Sequence, residues 1–278
     1  MATIATNIDK YLRGTLFWRA LVGLTVFVVI WEVGGGFHDY SWTGDQPLRW
    51  IGAVPPATAV FVEWYGLLGE WGYWSSWRDS FIRVFGGFFA AAALGIPYGL
   101  ALASNNTIYG VLFPPFEMLR PIPPLAWVPA SVIFWPTPEL SIMFITFLGA
   151  FYIIVINVLG GARALDTRYF QAARSMGADG WNIFRRIILP GVLPSIFVGL
   201  AVGMGITWEV VVAAEMIAGG GGAGRGGGGL GFFVWNAYLG GSYEAIVVGM
   251  ISIGIAGYVS SALIRKLGNV VTPWTRLR

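Results

Sequence analysis

The chain has no cysteine, so disulfide frameworks, thiolate metal sites and cysteine nucleophiles are all excluded. It is poor in charge: only 11% of its 278 residues are Asp, Glu, Lys or Arg, against about 25% in soluble domains. With a mean hydropathy of +0.68, lipid is the expected solvent for most of its surface. Histidine occurs once, as His38 beside Asp39, and one imidazole without clustered carboxylates makes no metal site. The only lysines are Lys10 and Lys266; neither follows a phosphate-cradling glycine loop, so the chain itself carries no nucleotide site. HExxH and GxSxG patterns are missing too, which removes the membrane protease and hydrolase readings. No cofactor and no metal are expected on this chain. The net charge of +3 calls for no nucleic-acid partner.

What is present is a series of long apolar runs. Six are long enough to cross a bilayer: Leu16–Val33, Ser80–Ala103, Ile108–Trp135, Leu140–Gly160, Gly191–Ala218 and Ala245–Leu267. The fold class expected is therefore an all-α membrane protein of about six transmembrane helices, one membrane domain over 1–278. Basic residues fall on alternate sides. With the N-terminus inside, Lys10, Arg13 and Arg19, then Arg163, Arg168, Arg174, Arg185 and Arg186, then Arg265, Lys266, Arg276 and Arg278 share one face, leaving Arg49, Arg78 and Arg225 outside. Retained positive charge marks the cytoplasmic side, so both termini are expected there. The first run also fits a cleaved signal peptide, with its basic start and the small residues Gly34 to Gly36.

The outer segment over 34–79 is neither polar nor long enough to span. Val60, Phe61, Trp64, Tyr65, Leu68 and Trp71 recur in it at helical spacing. They suit a short helix lying in the headgroup layer or, equally by periodicity, a packed cap over the spans. The third run is interrupted by "RPIPPLAWVP", with Pro121, Pro123, Pro124 and Pro129. Proline removes amide donors and obstructs the preceding turn. A helix broken at membrane depth survives where the freed carbonyls face protein or a water-lined cavity. Arg120, Pro123, Pro124, Trp127 and the intramembrane Glu209 are accordingly the candidate lining of a translocation pathway, the alternative for the prolines being a kink needed only for packing.

"QAARSMGADGWNIFRRIILPG", Gln171 to Gly191, stands out against this background. Asp166 or Thr167 can cap a first helix running to about Met176, Gly177 can take the left-handed end position, and Asp179 can cap a second helix that runs to Leu189 before Pro190 opens the next span. Connecting loops between helices usually take two to eight residues. The segment 161–190 is far longer and ordered, so it is expected to bind a soluble partner. The spacing Gln171-Ala172-Ala173, three residues, Gly177, nine residues, then Ile187-Ile188-Leu189-Pro190 resembles the signature cytoplasmic loop of binding-protein-dependent ABC importer permeases. Gln171 stands where that family usually has Glu. The segments "VPPATAV", "SFIRVFGGFFAAAALGIPYGLAL", "EMLRPIPPLAWVP", "VVAAEMIAG" and "GLGFFVW" extend the likeness to the nitrate, sulfonate, taurine and bicarbonate branch.

That resemblance implies a type I importer fold and a second permease copy forming a homodimer in the bacterial inner membrane. It also implies cytoplasmic ATP-binding cassette subunits, which hold the ATP and Mg, and a periplasmic or lipid-anchored solute-binding protein. The residues it places in the ATPase-coupling loop are Gln171, Ala172, Ala173, Gly177, Asp179, Arg185, Leu189 and Pro190. The expected activity is import of a small anionic solute, with no enzymatic step on this chain. The rival class is a secondary transporter or channel acting without an ATPase, which predicts inverted repeats with matching broken helices; only one Pro-broken run is visible. Two further expectations concern charge and flexibility. Ionisable residues inside spans are costly, and Arg83 and Glu215 lie at similar depth from the outer side, so an ion pair between them is expected. The run "GGGGAGRGGGGLGFF" in the outer segment 219–243 reads as a flexible loop, reaching either a docked partner or nothing.

Overall fold

In the computed structural model, residues 15–36, 54–218 and 228–277 are described. Lys10, Arg13, His38, Arg49, Arg225 and the glycine run 219–227 lie outside them. The described residues are helical throughout their regular structure, without a strand. They form α1 (Thr15–Gly36), α2 (Ala57–Leu67), α3 (Trp71–Ser104), α4 (Asn106–Leu119), α5 (Val128–Phe134), α6 (Pro138–Arg163), α7 (Thr167–Ser175), α8 (Gly180–Ile183), α9 (Leu189–Ala218), α10 (Leu230–Gly240) and α11 (Tyr243–Val271). The chain falls into two compact units, 1–70 with 237–248 and 71–236 with 249–278.

In the first unit, α1 presents apolar side chains outward along its whole length: Trp18, Leu24, Phe27 and Ile30 are all exposed, as a lipid-facing helix requires. Its last turn fastens α2. Glu32 accepts from the Thr58 amide at 3.0 Å and from the Thr58 hydroxyl at 2.8 Å, and the Trp31 indole donates to the Pro55 carbonyl at 3.0 Å. The carboxylate thus satisfies an amide that the first turn of α2 leaves open. On α2, Val60 and Leu67 are buried while Phe61, Val62 and Tyr65 are exposed.

The second unit is built around α6, which packs along α3 on one side and α9 on the other. Its core joins Val84, Phe88 and Ala91 of α3, Ile142, Ile145, Ile154 and Val158 of α6, and Met204, Trp208 and Val211 of α9. Two helices approach closely where side chains are small: a Cβ at Gly99 would lie 2.8 Å from Val158 of α6. Polar side chains pin the same helices. The Thr146 hydroxyl donates to the Arg83 carbonyl (3.2 Å), the Trp208 indole to the Ser260 hydroxyl (3.0 Å), and Tyr73 and Ser252 share a hydrogen bond of 2.8 Å.

Among the described residues five helices are long and apolar enough to cross a membrane, and several boundaries differ from expectation. The second span begins at Trp71 rather than Ser80; at 1.5 Å per residue its 34 residues extend about 51 Å, well beyond a hydrocarbon layer of about 30 Å. The outer segment therefore ends by residue 70, not 79. The third run is not one kinked span but α4, a turn, a 3-10 segment Pro124–Trp127 and α5, because Pro121, Pro123 and Pro124 withhold three amides within four positions. Pro114 and Pro115, by contrast, sit inside α4. Within the expected outer loop 219–243, the 11 residues Leu230–Gly240 are the helix α10.

Candidate functional site

The hairpin forms from its own side chains. Asp166 accepts from the Arg168 amide at 2.9 Å and caps α7. The Arg168 side chain and amide together hold its carboxyl below the usual carboxylate range. At the other end the Ala178 amide bonds the Ala173 carbonyl (3.0 Å) and the Gly177 amide the Arg174 carbonyl (2.9 Å), the paired bonds of a Schellman ending. Gly177 has φ +78°, a conformation that side chains other than glycine and asparagine rarely adopt. Asp179 then caps the second limb, accepting from the Asn182 amide at 2.9 Å.

The second limb does not stop before Pro190. It runs from α8 through a π-turn, Phe184–Ile188, directly into α9. Pro190 has no amide to complete the regular ladder, and the wider turn one step upstream absorbs the missing bond: the Leu189 amide reaches back to the Phe184 carbonyl. Limb and span are thus one continuous helical rod, with Leu189 and Pro190 inside it rather than at a break. The limb buries Ile183, with Phe184, Ile187 and Ile188 half-buried and Arg185 and Arg186 exposed. Trp181 is 65% exposed and stacks on Phe184. On α7 only Ala173 is buried; Arg168, Tyr169, Gln171, Ala172 and Arg174 are exposed, as is Met176 just after its end.

A second constellation gathers at the opposite end of the bundle. Arg83 donates from Nη1 to Glu215 at 3.0 Å and to the Gly228 carbonyl at 2.9 Å, and from Nε and Nη2 to both oxygens of Glu139 at 2.7 and 2.6 Å. Glu215 also accepts from Ser80 (2.8 and 2.9 Å) and from the Gly231 amide (2.9 Å), while Ser80 accepts from the Leu230 amide at 2.8 Å. The first amides of α10 are therefore capped by side chains of α3 and α9. Arg83 and Glu215 are buried, with side-chain exposures of 4% and 0%, whereas Glu139 is 55% exposed. Gly229, at φ +85°, lies where a Cβ would meet the Glu215 carboxylate.

Glu139 escaped the sequence reading. It stands one residue before the apolar run Leu140–Gly160, in the first turn of α6 behind the cap Thr137. "TPEL" carried the signal: a capping residue, Pro at the first position and an acid in the first turn.

The candidate pathway residues are dispersed. Arg120 closes α4 and pairs with Glu117 at 3.3 Å, both half exposed. Pro124 and Trp127 form the 3-10 turn after Pro123. The Trp127 indole N–H is buried without an acceptor among the described residues. Glu209 lies on an exposed stripe of α9 with Val198 and Val202, and has no ion pair among the described residues.

Residues 93–277 match the family described as "binding-protein-dependent transport system inner membrane component". The chain is 37% identical to the nitrate import permease protein NrtB of Synechocystis sp., over 70% of this chain and 68% of that one. To the taurine transport system permease protein TauC of Escherichia coli it is 33% identical, over 80% of each. With the bicarbonate transport system permease protein CmpB of Synechococcus elongatus it shares 30%, over 85% and 83%. Among solved structures, a chain of the MetNI methionine ABC transporter in an inward-facing conformation superposes with a TM-score of 0.55 at 20% identity, covering 82% of this chain and 99% of that one. A chain of a bacterial alginate ABC transporter in complex with its alginate-bound periplasmic protein gives 0.57 at 13% identity, covering 95% and 94%. These show the type I importer fold.

Proposed function

This chain belongs to the binding-protein-dependent transport system inner membrane components, and on that premise we propose that it is the pore-forming subunit of an ATP-driven importer of a small anionic solute. It is a multi-pass inner-membrane protein. Relatives named for nitrate and bicarbonate support that solute class, and one named for taurine shares its anionic group, a sulfonate. ATP and Mg sit on partner cassette subunits, a solute-binding protein delivers cargo outside, and two permease copies enclose the path. Both termini and the hairpin face the cytoplasm.

One observation carries the mechanism: the second limb of the hairpin and the span α9 are a single rod joined through the π-turn. A force applied to the exposed face of α7 by closing ATPase subunits passes through Gly177 into that rod without an intervening flexible loop. Tilting α9 moves Glu209, and with it the stripe proposed to line the path. A shift of this kind requires the ATPase to contact the hairpin differently in its two states, and in this reading the contact is made by the exposed Gln171, Ala172 and Asp179.

Gly177→Val tests the lever. No neighbour within this chain lies within 4 Å of a Cβ there, so inside the chain the substitution acts through backbone conformation, at about 1–2 kcal/mol for a left-handed residue with a side chain. Uptake by the reconstituted complex is expected to be lost while membrane insertion and monodispersity stay normal. Undiminished uptake in that variant would count against the lever; uptake by the purified chain without any ATPase would replace it with a secondary carrier.

A further inference from the structure

Behind the hairpin lies a cleft of about 720 Å³, within the range of small-molecule sites. Leu100 and Ala101 at the end of α3 form one wall, and Phe170, Ile183 and Phe184 of the hairpin the other. Among the described residues Arg174 is the only charged one lining it, and its guanidinium makes no hydrogen bond or ion pair with any of them. Oil below and a free cation at the rim is the complement of an anionic amphiphile.

We propose that this cleft holds an anionic phospholipid, one acyl chain between α3 and the hairpin and the phosphate on Arg174. The proposal takes from the functional reading only that the hairpin lies at the cytoplasmic membrane surface, where basic pockets between transmembrane helices recruit acidic headgroups. A protein occupant fits less well. The exposed residues of the hairpin suited to a protein, Tyr169, Gln171, Ala172 and Met176, do not line the cleft, whereas the cleft walls continue into membrane-spanning helices. Nearby basic groups reinforce the field: Arg185 and Arg186 are exposed on the second limb, and Arg163 at the end of α6 stands 4.0 Å over the Tyr109 ring. The carboxylates beside them are engaged elsewhere, Asp166 with Arg168 and Asp179 with Asn182. A lipid seated there would brace the inner side of the lever.

Native mass spectrometry of the full chain with its partner subunits, titrated with phosphatidylglycerol or phosphatidylcholine of matched chains, tests this. Wild type is expected to retain the anionic lipid about fivefold better than the zwitterionic one, the factor that one basic residue contributes at a membrane surface. Arg174→Gln, an exposed site where folding is not at risk, should erase that preference. Ala101→Trp, which fills the cleft, should remove bound lipid of either kind while the ATPase still copurifies. Equal retention of both lipids by wild type overturns the proposal. So does an undiminished preference in Arg174→Gln, or loss of the ATPase from Ala101→Trp with lipid retention unchanged, which would assign the cleft to protein. Absence of the ATPase from the wild-type preparation speaks against the importer reading alone.

Discussion

Arg83 illustrates how a charge is kept inside a bundle. Its two carboxylate partners are unequal: Glu215 is enclosed and shares its oxygens with Ser80 and the Gly231 amide, while Glu139 is half in solvent. Removing one partner of a buried pair strands the other, at about 3–5 kcal/mol, whereas a pair open to solvent contributes about 0–1 kcal/mol. Arg83→Met is therefore expected to destabilise the solubilised protein severely, and Glu139→Gln only slightly, in thermal unfolding followed by intrinsic tryptophan fluorescence. Equal losses in the two variants would mean that Glu139 carries the pair. Matching depths along two spans made Arg83 and Glu215 legible in the sequence. Glu139 and Ser80 were not, because hydropathy sets span ends by composition and passes over a polar residue that the tertiary structure draws inward.

At the scale of elements, the capped first helix and its Gly177 ending were legible, since caps are local and residue-specific. The π-turn was not: Pro190 read as the start of a new span, and only packing against the bundle keeps the helix going through it. The same limit hid α10, whose first amides are satisfied from α3 and α9 rather than by any cap of its own. That start is sensitive. Gly229→Ala would force an alanine into a left-handed conformation, costing about 1–2 kcal/mol, and push its methyl at the Glu215 carboxylate. The expected result is a lower unfolding temperature together with faster amide exchange at Leu230 and Gly231. Unchanged exchange at those two amides would show that α10 starts independently of Glu215.

For the whole molecule, the proposed lever joins the hairpin to the span that carries Glu209, with α6 packed between α3 and α9. Apolar runs and basic flanks sufficed to read a multi-pass membrane protein, and a spaced motif sufficed to read its family. Assembly was beyond them, because the faces proposed for the path and the ATPase, the Val198, Val202, Glu209 stripe and the outward side of α7, follow the same helical periodicity as faces that meet lipid. The absence of cysteine from the chain gives a clean way to decide. Ala172→Cys places a single thiol on the exposed side of α7, and its reaction with a membrane-impermeant maleimide can be followed from each side of sealed vesicles, with and without the ATPase. The lever predicts labelling from the cytoplasmic side only, suppressed when the ATPase is bound; labelling from the outside, or labelling indifferent to the ATPase, would contradict it.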